Sequence, residues 1–462
     1  MRRMTRVRVL IVMVVGAATA LPAAADDASL EAMQKQLAEQ AQRLDKAMER
    51  IESVEKENAQ LRAARHRDWL DERRTEQVKA LIHQTMADAS TRGDSFDDRM
   101  HAGYRNCFFL ACPDGRFLLQ FLGQLQLRYM HSHADEATGG DTDRGGFEVS
   151  RFRLGLKGHA HDPSWQYFVL TGYTPSGGSI FLDSYVRKHF DERLSLTAGQ
   201  YKTPLLQEFL VSTKRLPFVT RSYMGARLSG TYTQGVMLRY NLPKLHTYLS
   251  VDDGVDARNE MAIDEATEGV GVTARAEWLL TGDWKQYRDF QSWPGGEPLI
   301  VLAGGYHYEQ GEYGTTTDEL TIHRWALDGT WKLGNGLALY GAAVGNHVRG
   351  GDMLPTQDQY ALLIQGGAFI TDDIELVGRY EWSDMDVDGV AQLSALTGGC
   401  NLFLAKHKLK WTTEVSYALN PLTQATVGGR TYGFAIGGFG WRSQQADADG
   451  QVVIRSQLQY LF

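Results

Sequence analysis

The sequence predicts an all-β fold, a sixteen-stranded antiparallel transmembrane β-barrel preceded by an α-helical coiled-coil segment. Three observations lead there. From Cys107 onward, apolar and polar residues alternate with period two over segments of about ten residues or more, the length of a tilted membrane strand. The connections between segments alternate between short and long, as on the two rims of an outer-membrane barrel. The last segment ends on Phe462, with Tyr460, Leu458 and Ile454 on the same face.

Composition agrees. The chain has 462 residues, 43% of them hydrophobic and 23% charged, with 48 glycines and 11 prolines, which suits neither disorder nor a collagen-like repeat. Beyond the N-terminus, no apolar run is long enough for a membrane-spanning helix.

Residues 1–25 read as a signal peptide: Arg2, Arg3, Arg6 and Arg8 precede the apolar run Val9–Val15, and Ala23-Ala24-Ala25 stand before Asp26. Residues 26–62 read as a coiled coil. Leu30, Leu37, Leu44, Ile51 and Asn58 occupy one heptad position; Met33, Gln40, Ala47, Val54 and Leu61 occupy the other. At 1.5 Å per residue, Leu30 to Leu61 spans roughly 48 Å, a stalk suited to self-association or reach. Residues 63–105 are a charged helical linker that frays at Ser90, Gly93 and Asp94, and residues 106–462 form the barrel domain. Cys107 and Cys112 flank a tight bend where they either pair or stay free.

In the barrel region, Leu119, Phe121, Leu125, Leu127 and Tyr129 alternate with Gln120, Gln124, Gln126 and Arg128. Phe152, Leu154 and Leu156 alternate with Arg151, Arg153 and Lys157, and the pattern recurs at 270–280 and 374–382. About sixteen segments begin near residues 117, 147, 164, 179, 193, 230, 244, 268, 298, 320, 337, 358, 373, 402, 423 and 451, with boundaries good to several residues. Short turns are expected at Asp162-Pro163, Asn241–Lys244, Gly334-Asn335-Gly336, Thr371–Asp373 and Asn420-Pro421. Lys202–Ser229 is very long, and Thr281–Glu297 is long where a short turn belongs. A soluble sandwich or propeller would share the alternation, but not the segment length or the aromatic residues near the ends of the apolar faces.

Charge is unevenly placed. Residues 147–240 hold 12 Lys and Arg against 6 Asp and Glu, a net of +6, whereas residues 241–462 hold 15 against 28, a net of −13. Basic side chains on a lumen face attract anions. The residues selected for an anion path are Arg128, Arg151, Arg153 and Lys157 on early strands, Lys202, Lys214, Arg215 and Arg221 on the long loop, and Lys406, Lys408 and Lys410, read as one face of a late strand. The competing reading is that these cations pair with lumen carboxylates such as Asp183, Glu208 and Glu375, which would hold loops.

Phe147–Lys157, Leu182-Asp183-Ser184-Tyr185-Val186, Ala198-Gly199-Gln200-Tyr201-Lys202-Thr203-Pro204, Glu208 and Arg221-Ser222 together resemble the phosphate-selective porin O and P type family of Gram-negative outer membranes. The resemblance implies a trimeric sixteen-stranded channel in outer-membrane lipid, passing small solutes. It leaves the coiled coil uncovered and does not by itself assign phosphate. The function expected is a water-filled diffusion channel for small, anionic solutes, phosphate being one candidate. The alternative is a structural tether whose periplasmic coiled coil meets cell-wall or periplasmic components while the barrel only anchors it.

No cofactor or nucleic-acid partner is expected. Ser416, Ser456 and the scattered histidines form no hydrolase constellation, and the chain lacks a P-loop, an H-E-x-x-H and any Cys/His metal spacing, so no enzymatic activity is expected. His131 and His133, alternating at a strand end, read as polar surface.

Overall fold

The computed structural model describes Lys46 and residues 100–104, 107–134, 142–173, 178–254, 257–259, 269–312, 319–350, 356–427 and 430–462. The expected signal peptide, coiled coil and linker fall outside these residues, apart from Lys46 and the linker's last few positions.

The described strands are β1 (His101–Tyr104), β2 (Phe108–Ala111), β3 (Leu118–Ala134), β4 (Thr142–His159), β5 (Trp165–Tyr173), β6 (Ser179–His189), β7 (Leu194–Lys202), β8 (Tyr232–Asn241), β9 (Leu245–Asp252) and β10 (Gly269–Thr281). They continue with β11 (Leu299–Glu312), β12 (Glu319–Lys332), β13 (Leu337–Arg349), β14 (Gln357–Phe369), β15 (Ile374–Asp384), β16 (Leu393–Phe403), β17 (Leu409–Ala418), β18 (Gln424–Val427), β19 (Arg430–Gly433) and β20 (Gln451–Leu461). Strands β3 to β17 pair in sequence, antiparallel. β20 pairs with β17 on one side and with β3 on the other, which closes a sixteen-stranded barrel. In lipid an open edge would leave a row of backbone groups without partners, and closure removes it. Where β20 stops, at Leu461 opposite Gln124, β2 takes over beside Leu118–Gln120 of β3, and β1 pairs with β2.

The alternation read from the sequence is the inside and outside of this barrel. Gln124, Gln126 and Arg128 are buried while Phe121, Leu127 and Tyr129 face outward; Thr273, Arg275 and Glu277 are buried while Val272, Trp278 and Leu280 face outward. On β20, Val453, Arg455, Gln457 and Gln459 are buried, and Ile454, Tyr460 and Phe462 are exposed. Outward aromatic residues collect near the strand ends in two girdles. Trp165, Tyr240, Trp278, Trp331, Trp411 and Tyr460 lie toward the short-turn rim; Tyr129, Phe147, Tyr173 and Tyr417 lie toward the long-loop rim.

The late strands fall elsewhere than the sequence suggested. Segments were expected to begin near 402 and 423; the barrel strands there are Leu393–Phe403 and Leu409–Ala418. The glycines and acidic residues of Ser383–Gly399 suggest one long connection, but only 385–392 is loop, and Leu393, Ala395, Thr397, Asn401 and Phe403 keep a buried parity through Gly398 and Gly399. The segment near 423 is the hairpin β18–β19, outside the barrel ladder, so Asn420-Pro421 opens a long loop, 419–450, and makes no short turn. In consequence Lys406, Lys408 and Lys410 do not share a strand face. Lys406 and Lys408 lie in the turn 404–408, where Lys406 has φ +51°, and only Lys410 is in a strand. Cys107, Cys112 and Cys400 are free thiols.

Gly123 fits the seam to the chain terminus. Its N–H donates to the Phe462 carbonyl at 2.7 Å and its carbonyl accepts from Phe462 N–H at 3.1 Å, and a Cβ at Gly123 would meet the Phe462 ring at 2.2 Å. Gly123→Val should therefore push the terminal ring off the seam, at a cost of about 1–3 kcal/mol. The reading is the temperature at which the compact, folded band is lost on gels. A variant melting with the parent would show that the ring packing contributes nothing.

Candidate lumen passage

The site is shaped by the loop 203–231 between β7 and β8. It leaves the ladder at Lys202, opposite Tyr232, and turns into the lumen through helical turns at Gln207–Leu210, Thr213–Arg215 and Met224–Leu228. Backbone groups in such irregular chain need partners once buried, and the barrel wall supplies many of them. The amides of Val219 and Tyr223 donate to Glu414 (2.8 Å) and Glu381 (2.6 Å). The carbonyls of Leu205, Leu216, Pro217 and Thr220 accept from Arg275 (2.7 Å), Lys410 (2.7 Å), Asn401 (2.8 Å) and Arg379 (3.1 Å).

The wall residues are themselves paired. Arg275 is bidentate on Asp328 at 2.7 and 3.1 Å, and Arg455 binds Glu414 at 2.7 Å. Within the loop, Glu208 accepts from Ser222 N–H at 2.8 Å and from the Ser222 hydroxyl, and Gly225 lies so close that a Cβ there would come within 2.1 Å of the Glu208 carboxylate. Apolar loop residues pack on their surroundings: Phe209 on Tyr232 and Leu182, Phe218 beneath the Arg379 guanidinium at 4.4 Å.

Two other segments fill the same half of the barrel. From the long-loop rim, 419–450 packs Phe434 against Tyr223 (4.7 Å between rings) and places Trp441 by Arg455, which donates to the Phe439 carbonyl at 2.8 Å. From the short rim, 282–298 crosses the mouth. Trp284 stacks on His246 at 3.6 Å and bonds the Pro243 carbonyl, while Trp293 packs against Phe369, Phe403 and His407. Asp289 accepts from Lys332 at 2.8 Å and from His407 at 3.3 Å. Burial alone would raise the Asp289 carboxyl, but the His407 and Lys332 contacts outweigh it and hold it below the usual carboxylate range. The long connection at Thr281–Glu297 is thus an inward buttress: Gln207 donates to the Tyr287 carbonyl at 2.8 Å.

Open space lies along β3–β10. A cavity of about 200 Å³ is lined by Arg153, Asp183, Lys202, Lys214 and Tyr232, and a larger one of about 500 Å³ by Arg187, Lys202, Arg215, Arg239, Tyr248 and Arg288. Asp183, Lys202, Leu210 and Ser212 line both. Burial, then repulsion from Arg215 and Lys157, lowers the Lys214 ammonium to about 8.

Of the residues read as an anion path, Arg153, Lys202, Lys214 and Arg215 come together here. The others have different positions. Arg128 is paired with Glu148, and Arg151 bonds Gln126 at 2.9 Å and the Val219 carbonyl at 3.5 Å. Arg221 clamps the loop through the carbonyls of Glu208, Phe209 and Val211, and burial lowers it to about 10. Lys410 is buried under the loop, Lys406 covers the Trp293 ring at 5.2 Å, Lys408 stands in the same turn, and Lys157 is exposed on β4. Lys202 has both roles, since its ammonium also caps the carbonyls of Phe209, Leu210 and Val211 at 2.8 to 3.2 Å. Sequence reasoning missed Arg187 and Arg239; parity alone, with Val236, Leu238 and Tyr240 outward, would have turned Arg239 inward.

Residues 123–278 match the model of the family described as phosphate-selective porin O and P. No curated protein sequence matches the chain. Among solved structures, an anion-selective porin from Comamonas acidovorans is similar at 13% identity and TM-score 0.53, covering 74% of this chain and 99% of that one. OmpTdeltaL8, a loop L8 deletion mutant of OmpT from Vibrio cholerae, aligns at 13% identity and TM-score 0.50, covering 75% and 100%. Salmonella typhi OmpF in complex with daunomycin aligns at 12% identity and TM-score 0.50, covering 78% and 100%. At such identities the likeness is one of fold: the chain has the barrel of outer-membrane porins, and its residues 123–278 match the phosphate-selective porin O and P family.

Proposed function

We propose that the protein is an outer-membrane diffusion channel that prefers small anions, with phosphate one candidate solute. One observation carries this reading. The cavities beside the loop are lined by Arg153, Lys202, Lys214, Arg187, Arg239 and Arg215 against two carboxylates, Asp183 and Glu277, whereas other wall carboxylates are engaged elsewhere. Glu381 and Glu414 hold loop amides, Asp328 holds Arg275, and Glu375 accepts from Asn401 at 2.9 Å. The acidic excess of residues 241–462 is therefore largely spent on structure or placed at the rim. Asp384, Asp386 and Asp388 lie at or beyond the outer end of β15, where charges in solvent are screened within about 8 Å at physiological salt. Lumen cations keep their field.

Cavities on either side of Lys202 favour passage over a barrel that only anchors a tether. Fold and family likewise point to a channel in the outer membrane and not to an enzyme. Self-association of the heptad segment and the family resemblance support a homotrimer with a periplasmic stalk as the working assembly.

Exchanging Lys214 and Arg215 together for Glu should shift the reversal potential in a chloride gradient toward cations in planar bilayers. If the double variant keeps the parent's potential and conductance, these residues do not edge the path. Because Lys214 titrates near 8, its charge is present below that pH and lost above it. Anion preference should accordingly weaken between about pH 7 and pH 9, and Lys214→Gln should flatten that dependence. A pH response surviving in Lys214→Gln would assign it to other groups.

A further inference from the structure

The larger cavity is more than a wider stretch of the path, and the role inferred for it rests on the reading of the barrel as an anion channel. On β7, Ser195 and Thr197 are small and buried, and arginines from both neighbouring strands lie over them: Arg187 of β6 pairs with Thr197, and Arg239 of β8 with Ser195, one inward position nearer the short rim. Each guanidinium is tied to a hydrogen-bond acceptor and lies near an aromatic ring. Arg187 donates through Nε to Thr197 Oγ1 at 2.9 Å and lies 5.0 Å from the Tyr185 ring centroid. Arg239 donates through Nε to Asn241 at 2.8 Å, lies 5.1 Å from the Tyr248 centroid, and has Nη2 at 3.4 Å from the His246 ring. With both Nε groups and Arg239 Nη2 committed, and Arg187 also bonded to the Tyr185 side chain, the remaining Nη N–H groups are what the pair offers a ligand, and guanidinium N–H groups suit an oxyanion.

The carboxylates lining this cavity lie within electrostatic reach of the pair, Asp183 of Arg187 and Glu277 of Arg239, but each has another partner. Glu277 is taken by Arg275 (3.0 Å) and the Tyr248 hydroxyl (3.2 Å), and Asp183 is contacted by the Tyr232 hydroxyl at 3.4 Å. The rest of the lining is largely ring and aliphatic surface, including Met237, Trp284 and Tyr287. At about 500 Å³ the cavity is in the size range of small-molecule sites and far exceeds what an inorganic anion fills.

We propose that Arg187 and Arg239 form a binding station for organic oxyanions, carboxylates or phosphate monoesters carrying a planar apolar body, on the short-rim side of the Lys202 neck. The arginine pair takes the oxyanion, and the ring-lined wall takes the body. Inorganic anions pass the same station without the second contact.

The test uses the full chain in planar bilayers, reading block of chloride current by benzoate, phenyl phosphate and inorganic phosphate. Phenyl phosphate and benzoate should half-block at concentrations at least about tenfold below inorganic phosphate, and Arg187→Lys with Arg239→Lys should remove about that factor while keeping the charge. Block by benzoate alone would restrict the station to carboxylates, and block by phenyl phosphate alone to phosphate esters. Equal block by organic and inorganic phosphate, with benzoate no better, overturns the proposal. So does organic block that persists in the lysine pair. Should that pair fail to insert, Tyr248→Leu must lower organic block alone, and unchanged block there counts against the station. The parent's reversal potential is read separately: a cation preference would refute the anion-channel reading while leaving the block measurement to judge the station.

Discussion

A barrel of sixteen strands encloses more space than its own inward side chains fill, and here the remaining space is shaped by chain folded inward and bonded to the wall. That arrangement places a strict demand on the lumen face. Each buried charge must meet a partner, because an unpaired one costs far more than any single contact returns. Glu381, Glu414, Arg379 and Lys410 meet it by bonding backbone groups of the loop 203–231, so the wall's need for partners and the loop's need for partners are met by the same bonds. The acidic half of the barrel sequence is thereby turned into a scaffold, and the basic segment 147–240 is left to line the opening.

This division makes the lumen asymmetric. Loops 203–231 and 419–450 and the buttress 282–298 lie against β10–β17 and β20, joined through Tyr223 and Phe434 above and through Gln207 and Tyr287 below. On the β3–β10 side Lys202 stands at the boundary of two cavities. Its ammonium caps three loop carbonyls, so the residue that lines both cavities also fixes the loop that forms their other edge. A change at Lys202 would act on both the cavities and the loop.

How much of this the sequence disclosed depends on the range of the interaction concerned. Strand parity is local, and Gln124, Gln126 and Arg128 declared an inward face without any knowledge of the fold. The loop was legible from its length, and Phe209, Phe218 and Val219 beside cations are residues that suit an inward fold. Which cation faces open space was not legible, because the carbonyls that occupy Arg221 and Lys410 come from chain folded onto them. The lysine triplet misled for a local reason: the left-handed backbone at Lys406 belongs to a turn, and alternation through a turn mimics a strand. The buttress had a signal that went unread. Trp284, Phe290 and Trp293 are more aromatic surface than an exposed short-rim turn would carry, and all three pack inward.

The central claim is that the loop is held in the lumen by wall carboxylates, and amide hydrogen exchange on the membrane-inserted protein tests it most directly. Amides bonded within stable structure exchange slowly, whereas those of an open loop exchange within seconds. The account predicts that Val219 and Tyr223, whose N–H groups donate to Glu414 and Glu381, are protected to a degree comparable with the barrel strands. Exchange of residues 216–224 at the rate of an open loop would contradict it.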